Sequence, residues 1–264
     1  NFFHDRITGS IFLTFIFFVF LIYLNKQHIN SFLKKINKKT WLFLIIIIII
    51  SLAIRIFISP HQHIMYIDEP WYMEAGKDML QTDHQGDYPK PIGWPFILRI
   101  VFGIFGISNW VALYTSLILG SLTILAMFLM AFIITNKQKI SLVSAMLLAF
   151  YPAHIRWSTS AETNVPSLFF IILTIFFCFL YYKNQKNSLL WLALISLAFT
   201  SQFRQENYIF PLLFLFGCFI FNKNFIKKIN LKFIFPWIIL IILSFANLVQ
   251  VLDYHANTNW VESD

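Results

Sequence analysis

Asp68 and Glu69 stand side by side after one apolar stretch, and a further acid, Glu162, stands just ahead of another. A carboxylate at a water–lipid boundary is partly desolvated, which raises its pKa and makes it a better base. Such a group could take a proton from an attacking hydroxyl, and Glu162 could face Asp68 across a cavity. Cations stand nearby in sequence. The run Tyr88-Pro89-Lys90-Pro91-Ile92-Gly93-Trp94-Pro95 is too rich in proline for a regular helix and reads as a stiff loop presenting Lys90. An ammonium there suits a phosphate. Arg204-Gln205-Glu206 fills a short turn, and a guanidinium fork also matches phosphate.

Each of these residues also has a plainer reading. Asp68 occupies an N-cap position, with Glu69 and Pro70 suited to a first helical turn. Glu162 precedes Thr163 or Asn164, either of which could cap a helix opened by Pro166, where an acid is favourable for its own sake. Lys90 could snorkel beside Trp94, and Arg204 could pair with Glu206.

The elements that must position these residues are membrane helices. Of 264 residues, 58% are hydrophobic, only 12% are charged and 32 are Phe. A soluble domain carries about 25% charged residues. The apolar spans are Thr8–Leu24, Trp41–Ser59, Ser108–Thr135, Ile140–Ala153, Val165–Tyr182, Ser188–Phe203, Tyr208–Phe221 and Phe233–Leu252. A crossing helix needs about 20 residues, so Ile140–Ala153 and Tyr208–Phe221 are short. Backbone in lipid must satisfy its own hydrogen bonds, which makes helices the expected form and an all-α polytopic bundle the expected fold. One transmembrane domain covers residues 1–264, read as the N-terminal part of a longer chain. Residues 60–107 form a long outer loop. Gly103, Gly106 and the cap-like Ser108-Asn109 divide the uncharged stretch after Arg99, which predicts a short helix over Pro95–Phe105 at the outer interface.

Charge sets the orientation. The loops Asn25–Thr40, Asn136–Lys139, Lys183–Asn187 and Asn222–Lys232 are lysine-rich and hold no acid, whereas all 12 Asp and Glu fall in the alternate segments. The lysine side is therefore cytoplasmic, and the acids lie outside it. The net charge of +8 belongs to these loops, so nucleic acid is not an expected partner. Cys178 and Cys218 lie inside apolar runs and indicate neither a disulfide framework nor a metal site. His61 and His63 with Asp68 and Glu69 leave room for a divalent metal, but no motif demands one. No phosphate-cradling glycine loop or Walker motif is present.

Asp68-Glu69 with Tyr72 and Ala75, then Lys90-Pro91-Ile92, then Phe105-Gly106, resembles the first outer loop of the GT-C membrane glycosyltransferases. That superfamily includes protein O-mannosyltransferases and lipid A aminoarabinose transferases. Arg156, Thr159 and Glu162 resemble its later outer turn. Lys90-Pro91-Ile92 lacks the second proline of the family element, and Thr8–Leu24 is an extra helix ahead of the expected first span. The resemblance covers roughly residues 54–174. It implies inverting transfer of a sugar from a polyprenyl-phosphate donor to a hydroxyl of a lipid, glycan or protein acceptor. The site would lie on the extracytoplasmic side of a prokaryotic plasma membrane, among membrane lipids. In that reading Asp68 is the base, and Glu69 and Glu162 orient sugar or acceptor. Lys90, with Arg156 or Arg204, holds the phosphate. The alternative is a transporter or flippase of a lipid-linked saccharide. Transporters place charge at mid-membrane, whereas Arg55, the one charge well inside a span here, is near its outer end.

Overall fold

The computed structural model describes residues 2–58, 68–82, 90–221 and 238–239. Every regular element among them is helical: α1 (Phe2–Leu24), α2 (Lys26–Leu33), α3 (Lys38–Ile58), α4 (Glu69–Gln81), α5 (Gly93–Phe105), α6 (Asn109–Thr135), α7 (Gln138–Ala149), α8 (Pro152–Ser158), α9 (Asn164–Asn184), α10 (Asn187–Ser201) and α11 (Ile209–Phe221), with a 3₁₀ turn at Gln205–Tyr208. The chain is an all-α helical bundle. Three helices, α3, α6 and α9, are long and apolar enough to cross a bilayer, and α1–α2 and α7–α8 are bent pairs that could each make one further span. The expected span Phe233–Leu252, apart from residues 238–239, and the histidines His61 and His63 lie outside the described residues.

The helix ends follow local chemistry. Gly106 adopts φ 87° after α5, its N–H bonding the Phe102 carbonyl at 2.9 Å, and Ser108 then caps α6 by accepting from the Trp110 N–H at 3.3 Å. Asn136 (φ 54°) and Gln185 (φ 53°) close α6 and α9 in the left-handed conformation. Tyr151-Pro152 breaks the apolar run after α7, and the chain turns by 60° into α8.

Helix α6 packs along α9, α9 along α10, and α10 along α1, while α3 and α7 lie against α6. Helix α10 is buried almost throughout. Aromatic rings fill the centre: Phe18 stacks on Phe199 at 5.8 Å, Phe170 on Phe203 at 4.7 Å, and Phe96 meets Phe199 edge to face at 6.5 Å. The outward faces of α1 and α3 stay apolar, with Phe17, Phe20, Leu42 and Ile49 exposed, as a lipid-facing surface requires.

One expectation needs correction: the loop Asn25–Thr40 contains the helix α2. The helix expected over Pro95–Phe105 runs from Gly93 to Phe105 as α5, with Trp94, Phe96, Leu98 and Phe102 buried. It packs on α4 and the central aromatic cluster, leaving Ile104 and Phe105 exposed.

The loops read as cytoplasmic meet one another. Asn25 Nδ2 donates to the Ser188 carbonyl at 3.1 Å, and Ser188 Oγ donates to Asn25 Oδ1 at 2.8 Å. Gln138 bonds the Lys35 carbonyl at 3.0 Å and accepts from Thr40 Oγ1 at 2.6 Å. Among the described residues, acid-bearing segments also meet: Glu69 Oε1 accepts the Ala161 N–H at 3.0 Å, and Arg204 bonds Asn164 Oδ1.

Candidate active site at the acid-bearing end

Four helix ends build this site: the N-termini of α4, α5 and α9 and the C-terminus of α10. Asp68 precedes α4 but does not cap it with its side chain; its carboxylate pairs with Lys90 instead. Both groups are partly exposed, and the Lys90 ammonium also lies 5.6 Å from the centroid of the buried Tyr72 ring. The capping and snorkelling readings of these two residues therefore give way to an ion pair beside an aromatic face.

Glu69 is fully buried, and its Oε1 accepts the Ala161 N–H at 3.0 Å. On the other side of the same peptide segment, the buried Trp94 indole donates to the Ala161 carbonyl at 2.7 Å. Ala161 is thus gripped from α4 and from α5. The next residue, Glu162, is only 7% exposed. Burial, then the neighbouring Asp68 and Glu69 charges, push its carboxyl up to about 7 against the opposing pull of Lys90 and the Thr163 N–H. That electrostatic coupling brings Asp68, Glu69, Lys90 and Glu162 into one cluster.

The C-terminus of α10 closes the cluster from below. The Gly93 N–H bonds the Gln202 carbonyl at 2.6 Å, and a Cβ at residue 93 would lie 2.6 Å from that oxygen. Glycine is needed here for close approach of two backbones. Thr163 spends its hydroxyl on the Phe203 carbonyl at 3.1 Å rather than on a helix cap.

Arg204 makes the pair expected of it: Nε and Nη2 reach the two Glu206 oxygens at 3.2 and 3.1 Å, and Nη1 bonds Asn164 Oδ1. These bonds hold the Arg204 pKa above its ordinary value and the Glu206 pKa below its own. Glu162 and Tyr72 also act on Arg204, which places it at the edge of the cluster. Arg156 is exposed on α8 with its guanidinium carbon 5.7 Å from the Trp157 ring centroid. A groove of about 590 Å³ runs between α7–α8 and α9–α11, with Leu168, Ile171 and Phe210 on its apolar part and His154, Asn164 and Arg204 on its polar part. Among the described residues, no three His, Cys, Asp or Glu are grouped to hold a metal ion.

Residues 89–250 match the model of the family described as dolichyl-phosphate-mannose-protein mannosyltransferase. The chain belongs to that family. The match takes in Lys90, Arg156, Glu162 and Arg204, while Asp68 and Glu69 precede it. A 137-residue stretch is 28% identical to an uncharacterized protein of Aquifex aeolicus (strain VF5), covering 49% of this chain and 28% of that protein. The chain thus spans just over a quarter of that relative's length. No solved structure matches. Family membership and the apolar helices together make this an integral membrane protein.

Several residues of the site were not visible as such in the sequence. Gly93, Trp94 and Ala161 act through backbone contacts between elements far apart in the chain, and nothing in their local spacing announces them.

Proposed function

We propose that this chain carries the catalytic end of an inverting membrane glycosyltransferase. It would move a sugar from a polyprenyl-phosphate donor to an acceptor hydroxyl on the extracytoplasmic side. The observation that carries the reading is the Asp68–Lys90 pair beside the buried Glu162, within a chain of this family. A lipid-linked donor suits the groove, whose apolar wall fits an isoprenoid chain and whose polar part ends at Arg204.

In this reading the donor phosphate draws Lys90 away from Asp68. The freed carboxylate takes the acceptor hydroxyl proton as the oxygen attacks the anomeric carbon. The bond from that carbon to the phosphate oxygen breaks, and the electron pair leaves on the phosphate. Lys90 and Arg204 or Arg156 stabilise the charge that develops there. Glu69 holds the Ala161 backbone, and Glu162, neutral below about pH 7, presents a hydrogen bond to sugar or acceptor without repelling the phosphate.

Purified protein incubated with a labelled polyprenyl-phosphate sugar and an acceptor releases free polyprenyl phosphate if the reading holds. Asp68→Asn abolishes release by at least about 100-fold. Movement of intact donor across the bilayer without release would identify a flippase instead. Unchanged release by Asp68→Asn would remove Asp68 as the base.

A further inference from the structure

Arg55 lies near the end of α3, inside a span, and is fully buried. A guanidinium stays ionised in proteins, and burying it costs several kcal/mol unless its donors are matched. Among the described residues, no carboxylate pairs with it. Its Nη1 donates to the Ser51 carbonyl at 3.0 Å, to the Ser51 hydroxyl and to the Ala149 carbonyl at 3.4 Å. Its Nη2 is 2.7 Å from His154 Nδ1. A guanidinium can only donate, so Nδ1 accepts and the imidazole is neutral with its proton on Nε2.

The partners mark a junction. Ala149 is the last residue of α7, where an unpaired carbonyl and the helix dipole favour a cation. His154 lies in the first turn of α8, beyond the 60° bend. One side chain therefore joins α3, the end of α7 and the start of α8. The rest of the path to the site is tightly held. Ser158 Oγ bonds the His154 carbonyl and sits against Gly120 of α6, where a Cβ would come within 2.5 Å of it. Ser160 Oγ then bonds the Trp157 carbonyl at 3.1 Å, Ala161 is gripped by Glu69 and Trp94, and Glu162 follows.

The cluster is not optimised for stability. Among the described residues, Arg55 Nε and His154 Nε2 are both buried without a hydrogen-bond partner. An apolar residue at position 55 would be the cheaper solution in a bilayer. We infer that Arg55 is a positioning residue, fixing the α7–α8 corner so that Glu162 is presented to the cluster around Asp68. This rests on the transferase reading for its kinetic arm but not for its structural one.

The test uses the full-length protein in membranes and the variants His154→Leu, Arg55→Met, Arg55→Lys and the double variant Arg55→Met/His154→Leu. Ser160→Cys, placed in each background, is probed with a membrane-impermeant maleimide. The buried thiol is expected to resist labelling in the parent and to label at least about five-fold faster once either partner is removed. In folded variants kcat should fall about 10–100-fold, the effect of misplacing a group by about 1 Å. The donor KM should stay within about two-fold. Arg55→Lys, which keeps the charge and a donor, should recover part of the loss. The double variant should be no worse than Arg55→Met.

His154→Leu leaves Arg55 with its Ser51 and Ala149 partners, so it carries the test if Arg55→Met does not fold. Parent-like labelling and kcat in folded His154→Leu overturn the inference. So does a loss of folded protein with unchanged kcat per folded molecule. If the parent releases no polyprenyl phosphate, the transferase reading fails, and the labelling arm still decides whether Arg55 holds the corner.

Discussion

Replacing Glu162 by Gln keeps the shape and hydrogen-bonding reach of the side chain while removing its ionisation. In the protein the Glu162 carboxyl is pushed from an ordinary 4.5 up to about 7 by burial and by the Asp68 and Glu69 charges. That displacement corresponds to ~3 kcal/mol favouring the neutral form. The folded value lies above the unfolded one, so the associated stability is fully present below about pH 4.5. It then declines by ~1.4 kcal/mol per pH unit, and is lost once pH passes about 7. Wild type and Glu162→Gln should therefore unfold alike near pH 4.5, and the variant should be more stable by up to ~3 kcal/mol at pH 8. Unfolding in detergent, followed by tryptophan fluorescence from pH 4.5 to 8, reads this directly. The same ionisation adds a negative charge beside the proposed phosphate position. Charges ~8 Å apart at an effective dielectric near 20 repel by about 2 kcal/mol, a factor of ~30. The donor KM should accordingly rise through pH 7 in wild type and stay level in Glu162→Gln. Stability curves of the two proteins that run parallel across the whole range would refute the reasoning, because they would mean that Glu162 ionises as freely in the fold as out of it.

Three further outcomes follow from the same geometry. Lys90→Gln should raise the donor KM by ~10–100-fold with a smaller change in kcat, since a charge-assisted hydrogen bond contributes about 1.5–3 kcal/mol; steady-state kinetics on a polyprenyl-phosphate donor measure it. Gly93→Ala drives a methyl into the Gln202 carbonyl and should cost about 1–3 kcal/mol or more, read as a lowered thermal midpoint. Trp94→Phe leaves the Ala161 carbonyl buried without its donor, which should cost about 1–3 kcal/mol and also lower kcat, because Glu162 is the adjacent residue.

Much of this architecture was legible in the chain itself because a bilayer imposes a simple grammar. Long apolar runs, Gly106 followed by Ser108, and the polar loop Asn136–Lys139 marked the ends of α5, α6 and the turn into α7 without any tertiary knowledge. The separation of lysines from acids likewise anticipated which loops would meet. Side-chain roles were less legible. Asp68 sits where a cap belongs, and only the fold reveals that its carboxylate turns to Lys90. Helix α5 has the amphipathic composition of a surface helix, yet α4 covers its apolar face, a partnership set by tertiary packing rather than by its own sequence. His154, just beyond the expected span Ile140–Ala153, is buried against Arg55, 99 positions away. Contacts between elements of unknown relative placement carry no local signature, and the clamp on Ala161 is of that kind.

That clamp grips main-chain atoms: the N–H and C=O of Ala161, the C=O of Gln202 and the C=O of Phe203. Its hydrogen bonding therefore asks nothing of the side chains at positions 202 and 203, and Phe203 is fixed instead by its stacking on Phe170 in the central aromatic cluster. What cannot vary is at position 93, where even one added carbon would pry the two backbones apart.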